Sequence, residues 1–157
     1  MPLLKGLVAT VLYVVSSSLL ASECPVSTTP KALFSDSENL IEEHFEPKKG
    51  EYSATFKDGS SATARFSLCG LGVRASYLMR DKNDDLSDHI EFLLLKAVPS
   101  ENDRNIVASQ LVKFTEEDFR NGVTLNGSNG DHWVQAKSSP SPIYAAVIHY
   151  RWIPPEH

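Results

Sequence analysis

Apolar and polar residues alternate most clearly in the segment 51–69, EYSATFKDGSSATARFSLC. Apolar residues at every second position are typical of a β-strand with one buried face. Two such runs lie on either side of Asp58 and Gly59, and turn residues between two alternating runs predict a β-hairpin.

The length of the hairpin loop decides which residues share a face. A two-residue turn would send the two apolar rows to opposite faces of the sheet. A three-residue loop instead pairs Ala54 with Ala62. The same register pairs Tyr52 with Ala64, so that one core face results. We therefore predict the three-residue loop, with Gly59 in the left-handed conformation that closes such a turn.

Further alternating or apolar runs predict the other strands. They lie at 73–79, from Ile90 to before Pro99, and at 106–114, 133–136 and 143–152. The last run, IYAAVIHYRW, is apolar on both faces, which is typical of a central strand. The glycine-rich segment LNGSNGDH is predicted to be a mobile loop.

Capping residues predict two helical segments. In SDSENLIEEHF (35–45), a serine and a glutamate three residues later have the spacing of a capping box, and apolar residues recur on one helical face. In FTEEDFRNG, Thr115 is the predicted cap of a single turn, Asp118 is at the box position and Gly122 ends the turn. About seven short strands with few helices predict a mainly β chain, folded as an antiparallel β-sandwich or barrel with a short N-terminal helix.

The first 21 residues have the layout of a secretory signal peptide. Lys5 precedes an apolar stretch from Leu7 to Val15, and a small residue at Ala21 or Ser22 offers a cleavage site. Three consecutive serines interrupt the apolar stretch, which is therefore too short to span a bilayer. We predict cleavage after Ala21 and a single exported domain over 22–157, in the periplasm of a Gram-negative bacterium and secreted otherwise.

The charge balance bears on the class of partner. The chain has 15 Lys and Arg against 20 Asp and Glu, a formal net charge of −5 at pH 7. This balance argues against binding to a nucleic-acid backbone, which depends on clustered Lys and Arg. It is compatible with a protein partner of basic charge.

Two cysteines, Cys24 and Cys69, lie in the predicted exported part. An even number of cysteines in an oxidising compartment predicts a disulfide bond. The bond would close a loop of about 45 residues, for which chain entropy gives roughly 4 kcal/mol of stabilisation.

The acidic stretch RDKNDDLSDHIE (80–91) raises the question of a calcium site. A helix-loop-helix calcium loop that began at Asp81 would need glycine at position 6 and glutamate at position 12, where this chain has Leu86 and Phe92. We therefore interpret the stretch as a solvated turn between strands. A looser calcium site is the alternative, and its candidate ligands are Asp81, Asn83, Asp85 and Asp88.

Exposed loop groups are the candidates for contact with a partner. They are Asp84, Asp85, Asp88, Asp131, His132 and Trp133. Acidic groups would meet a basic surface, and an aromatic ring at a loop edge is a frequent anchor of protein contacts. The chain has no GxSxG motif, no HExxH motif and no phosphate-binding glycine motif.

These observations predict an exported protein that binds a partner and is not an enzyme. Its small size, acidic charge and single predicted disulfide suit an inhibitor or immunity-type protein directed against a toxin or a cell-wall enzyme. The alternative is a binder of small ligands or carbohydrates, with Trp133, Tyr144 or Trp152 as the stacking surface. A hydrolase whose acidic residues converge only in the fold is a third hypothesis.

Overall fold

The computed structural model describes residues 32–67 and 72–155, which form a seven-stranded sheet and three helices. Of the described residues, 40% are in strands and 24% in helices, which confirms the mainly β class. The elements are β1 (Leu40–Glu46), β2 (Glu51–Phe56), β3 (Ser61–Phe66), β4 (Val73–Met79), α1 (Leu86–Ala97), α2 (Glu101–Leu111), α3 (Glu116–Asn121), β5 (Val123–Gly127), β6 (Gly130–Ser138) and β7 (Ala146–Ile153).

All strand pairs are antiparallel, and the strand order is β1-β2-β3-β4-β7-β6-β5. The chain runs from β1 to β4 as a meander, crosses through the three helices and returns as β5 to β7. The last strand, β7, then pairs with β4. Because β7 has a hydrogen-bonded strand on each side, the predicted central position of this segment is confirmed.

The predicted sandwich or barrel is corrected to a single open sheet within the described residues. The second layer is helical instead of a second sheet. Phe92 of α1 packs edge to face against Phe56 and Tyr77 of the sheet. Helix α2 contacts β5, and α3 contacts β6. One face of the sheet is therefore covered by helices.

Two predicted strands are wrong: the one that begins at Ile90 lies almost wholly in α1, and residues 106–114 lie in α2 or directly after it. A short apolar run fits the repeat of a helix and that of a strand equally well. The two repeats differ only over a longer segment, such as the 12 residues of α1. The buried residues of α1 recur at helical spacing, and they are Leu86, Ile90, Leu93, Leu94 and Ala97. Asp85 and Ser100 cap the two helices through their side chains.

The predicted N-terminal helix over 35–45 is also wrong, since residues 40–46 form the edge strand β1. Short isolated helices gain little stability by themselves. As a strand, the segment forms a ladder with β2 and stacks Phe45 on Tyr52, with ring centroids 4.4 Å apart. Tertiary pairing therefore outweighs the local capping pattern.

The hairpin prediction is confirmed in its register and its loop. Tyr52 pairs with Ala64, and Ala54 pairs with Ala62. Gly59 has a φ of 82°, the left-handed conformation that the three-residue loop requires. The row of alternating residues over 73–79 is confirmed as strand β4.

The capped turn after Phe114 is confirmed as α3, with a complete capping box between Thr115 and Asp118. The predicted loop LNGSNGDH is instead the hairpin of β5 and β6, in which Gly127 pairs with Gly130. The short strand predicted at 133–136 extends over the whole of β6. Residues 1–21, Cys24 and Cys69 lie outside the described residues, so signal cleavage and the disulfide stay predictions.

Candidate functional site

The two faces of the sheet differ in what covers them. Helices α1 and α2 lie on the face that carries the buried side chains, which we call the covered face. The opposite face carries mostly polar and charged side chains, and α3 borders it at β6, where Gln135 Nε2 donates a hydrogen bond to the backbone oxygen of Arg120 at 3.1 Å. We call it the open face. Strand β4 shows the division, because Ala75 and Tyr77 are buried while Arg74 between its buried neighbours is exposed.

Three arginines lie side by side on the open face. Arg65 of β3 is directly opposite Arg74 of β4, and Arg74 is directly opposite Arg151 of β7. All three are exposed. We call Arg65, Arg74 and Arg151 the arginine row. Since neighbouring strands are about 4.8 Å apart, the row spans roughly 10 Å across the sheet.

The arginine row has little acidic compensation. No ion pair joins any of the three to an acidic residue in the described part of the chain. Glu51 of β2 is the cross-strand neighbour of Arg65 and is the acid closest to the row in register. Arg74 has an arginine on either side. Its charge is therefore opposed only by more distant groups.

Such an arrangement costs stability. Like charges directly opposite each other on neighbouring strands are destabilising, by an amount comparable to the roughly 0.2–1 kcal/mol of a favourable cross-strand pair. The row also concentrates positive charge in a chain whose net charge is −5. This concentration makes the row a candidate for recognition of an anion.

Trp133 of β6 continues the row, because it is the cross-strand neighbour of Arg151. Its indole is half-buried and lies beside Gly122, where an added Cβ would come within 3.1 Å of the indole nitrogen. Gly122 therefore leaves the space that the indole occupies. Trp133, Arg74 and Arg151 line a cleft of about 410 Å³ on the open face.

The next row of the open face is polar and mostly uncharged. Its four members are successive cross-strand neighbours on the open face: Thr63, Ser76, His149 and Gln135. The hydroxyls of Thr63 and Ser76 are 2.8 Å apart and share a hydrogen bond. Partial burial lowers the pKa of His149, and the charge of Lys137 lowers it further. His149 is therefore neutral at pH 7, and the row offers neutral hydrogen-bonding groups beside three cations.

The sequence-predicted acidic residues of the loop before α1 serve local structure. Asp85 caps α1, since its carboxylate accepts a hydrogen bond from the backbone N–H of Ser87 at 2.8 Å. Asp84 lies 3.3 Å from the ring of His89. Asp88 is exposed in the first turn of α1. Acidic residues at a helix N-terminus are favoured by the helix dipole.

The candidate calcium ligands are partly engaged in the same loop. Asp81 accepts a hydrogen bond from the backbone N–H of Asn83 at 2.9 Å, and Asp85 is the helix cap. Over the ranges 32–67 and 72–155, no group of three or more His, Cys, Asp or Glu side chains is placed to hold a metal ion.

The structure does not bring the six predicted contact residues to one surface. Asp84 borders a cleft with Lys137, near the end of β6, whereas Asp131 is near its start. Six residues of extended strand separate the two ends by about 20 Å. Asp131 and Trp133 do share the open face.

His132 is a correction to that prediction. Its side chain is 0% exposed and points to the covered face, so it cannot contact a partner in the folded protein. Strand alternation explains the error. Successive side chains of a strand point to opposite faces, so His132 points away from the face that carries Asp131 and Trp133.

The surroundings of His132 form a buried polar cluster that the sequence did not reveal. His132 Nδ1 is 2.9 Å from the hydroxyl of Tyr150, and its Nε2 is 3.8 Å from Asp103 Oδ2. Asp103 also accepts a hydrogen bond from the backbone N–H of Ser128 at 2.7 Å. The cluster joins α2 to the β5–β6 hairpin and to β7.

Burial determines the charge state of this cluster. Desolvation lowers the pKa of His132, although the nearby Asp103 acts in the opposite direction. Hydrogen bonds from Ser128 lower the pKa of Asp103 and outweigh its desolvation. Burial raises the pKa of Tyr150. At neutral pH the imidazole is therefore neutral and shares a hydrogen bond with the Tyr150 hydroxyl through Nδ1, while its buried Nε2 faces Asp103 without a hydrogen-bond partner among the described residues.

Sequence reasoning missed the arginine row, although one signal was available. The predicted hairpin register already placed Arg65 opposite Glu51 on the polar face. The partners Arg74 and Arg151 follow only when β3, β4 and β7 are known to be neighbours.

No helix in the described part of the chain combines the length and the apolar character that a membrane span needs. Comparison with family models, with curated proteins and with solved structures finds no match to this chain.

Proposed function

We propose that this chain is an exported binding protein that recognises an anionic partner through the open face of its sheet. The observation that carries the proposal is the position of Arg74 between two further arginines, with no acidic ion-pair partner in the described residues. The layout of the first 21 residues supports export.

The chemistry of the guanidinium group supports an anionic partner. Its planar array of N–H donors matches the oxygens of carboxylate, sulfate or phosphate groups, and it stays charged at all relevant pH values. Hydrogen bonds between ionised groups are roughly twice as strong as neutral ones. A bound anion would also relieve the repulsion between Arg65, Arg74 and Arg151.

The choice of an anionic partner differs from the basic partner that the acidic loop suggested. The acidic side chains before α1 already cap the helix or contact His89. They also lie near the opposite end of β6 from Asp131, so they do not form one acidic surface with it. An inhibitor or immunity role is compatible with the proposal when the target presents an acidic surface.

Retention on immobilised dextran sulfate at pH 7 and low salt tests the proposal. A protein with a sequence pI of about 5.5 is not expected to bind a polyanion unless its cations are concentrated on one surface. We expect wild-type protein to be retained and to elute as salt rises. We expect the double variant Arg74→Gln, Arg151→Gln to pass through.

The matched control is Arg120→Gln, Lys113→Gln, which removes the same two charges from exposed positions at α3 and after α2. The control should elute with the wild type. Equal loss of retention in both double variants would mean that net charge alone matters and would refute the role of the open face. Failure of the wild type to bind would refute the proposal as well.

A further inference from the structure

We propose that the anionic partner is a carboxylate-bearing polysaccharide; this inference rests on the proposed function of the open face. It depends on three features that occur together on one face. These features are the direction of the arginine row, the neutral polar row beside it and the indole at its end.

The arginine row runs across the strands. The Cα atoms of the three arginines therefore follow one another at the strand spacing of about 4.8 Å, so that three positive charges are concentrated across three neighbouring strands. A polymer that carries one carboxylate on every repeating unit can therefore present several charges to Arg65, Arg74 and Arg151 at once.

The neutral row offers what a hydroxyl-rich ligand needs. Thr63 and Ser76 present hydroxyl groups that bond each other at 2.8 Å, and each hydroxyl oxygen can accept a further hydrogen bond. His149 next to Ser76 is neutral at pH 7 and can donate one hydrogen bond and accept another. Neutral donors and acceptors of this kind match the hydroxyl groups of a sugar and add nothing to recognition of charge.

Trp133 supplies an apolar surface at the end of the row. Its indole N–H has no hydrogen-bond partner in the described part of the chain, and its ring lines the open-face cleft beside Arg151. An indole has an apolar ring face and a polar edge. A sugar ring has a face of C–H groups that can stack on it, whereas a carboxylate side chain of a peptide has no such face.

The charge of the whole chain argues against a nucleic acid at this site. Proteins that bind the phosphate backbone typically neutralise several phosphates, and their affinity depends on that number. Here three arginines lie on a chain whose net charge is −5. The open face also has one tryptophan, whereas single-stranded nucleic acids are usually bound by a series of stacked aromatic side chains.

Intrinsic fluorescence offers a direct readout, because the chain has two tryptophans. Trp133 lies on the open face, whereas Trp152 donates its indole N–H to the backbone oxygen of Asn129 and stacks against His132. A ligand on the open face should change the Trp133 signal. The variant Trp133→Phe should lose most of that change.

The experiment titrates the protein with polygalacturonate, with methyl-esterified polygalacturonate, with poly-L-glutamate and with an oligothymidylate of matched charge. We expect polygalacturonate to bind at least tenfold more tightly than each of the other three. Arg74→Gln should weaken this binding about tenfold, the size expected for one charge-assisted hydrogen bond. Arg120→Gln, on α3, should leave it unchanged. The unfolding midpoint of each variant checks that it is folded.

The outcomes separate this inference from the proposed function. Equal or tighter binding of polyglutamate or oligothymidylate, lost in Arg74→Gln, would overturn the polysaccharide and keep the anion-binding face. Retention on dextran sulfate without any binding of polygalacturonate would do the same. Equal binding of the methyl ester would overturn this inference, because the carboxylates would then contribute nothing, and it would overturn the proposed function only if dextran sulfate also failed to retain the wild type.

Discussion

The covered and open faces belong to the same strands, but they carry side chains of different character. In β4 the residues that face the helices are apolar, with Tyr77 3% exposed, while Arg74 and Ser76 face the other way. On the covered face each side chain gains by leaving water. On the open face the like charges of the arginine row are expected to repel one another. The covered face therefore carries the apolar burial that stabilises the fold, and the proposed recognition surface lies on the other face.

A core substitution on the covered face should have the largest effect on stability. Leu93 of α1 is 1% exposed, and Leu93→Ala should lower the free energy of unfolding by about 3 kcal/mol through lost burial and the cavity left behind. Leu78→Ala, on the partly exposed side of β4, is the control and should cost about 1 kcal/mol or less. Urea denaturation measures both. Similar losses at the two sites would contradict the division between the faces.

Loss of the α3 cap should have a smaller effect. The hydroxyl of Thr115 accepts a hydrogen bond from the backbone N–H of Asp118 at the start of the helix. Thr115→Ala should cost about 1 kcal/mol, and Thr115→Ser should restore most of it. Unfolding in urea compares the three proteins. An unchanged midpoint in Thr115→Ala would show that packing of Phe119 holds α3 without the cap.

Acidification should lower the free energy of unfolding through protonation of His132. Its pKa in the folded protein lies below the ordinary value of 6.5, so the unfolded chain takes up the proton first as pH falls. The stabilising contribution is therefore complete above pH 6.5 and is lost below it. The lowered pKa of Asp103 adds a second loss only below its ordinary value of 3.8.

Unfolding of the wild type at pH 7.5 and pH 5 should show this loss. In His132→Gln the difference between the two pH values should shrink. His149→Gln is the control for the open face, since the pKa of His149 is lowered as well and shifts stability in the same direction. If the pH dependence of stability vanished only in His149→Gln, the effect would arise on the open face, and the role of His132 would be refuted.

The smallest expected effect is on the free energy of unfolding when one arginine is replaced, and its sign should differ between Arg74 and Arg120. Arg74→Gln removes the repulsion on both sides of Arg74 and should raise the free energy of unfolding by about 0.5 kcal/mol. Arg120→Gln removes an i,i+4 contact with Glu116 at 3.5 Å and should lower it by about 0.3 kcal/mol. Thermal and urea unfolding at low salt measure both. A destabilised Arg74→Gln would show that the arginine serves the fold.

The fold was predictable where local pattern and tertiary context agree. The register of the β2–β3 hairpin follows from alternation and from the position of Gly59, because both act over a few residues. The capping box of α3 follows for the same reason. In contrast, the segment that begins at Ile90 and residues 35–45 were assigned wrongly because short apolar runs fit helix and strand, and the packing partner decides between them.

The candidate site was predictable only in part. Trp133 was singled out from the sequence and lies on the open face, although its neighbour His132 is buried in the core. The acidic residues near Asp84 are candidates because they are close together in sequence. Closeness in sequence does not place them on one surface with Asp131. The arginines are isolated in the sequence and adjoin only across strands.

The sequence by itself determined the mainly β class, the central hairpin and the alternation that gives each strand an apolar and a polar side. These features depend on neighbours within a few positions. Only the tertiary structure decided that helices cover one face and that Arg65, Arg74 and Arg151 meet on the other. The physical reason is that strand order and register set which side chains lie side by side, and pairing between distant segments sets both.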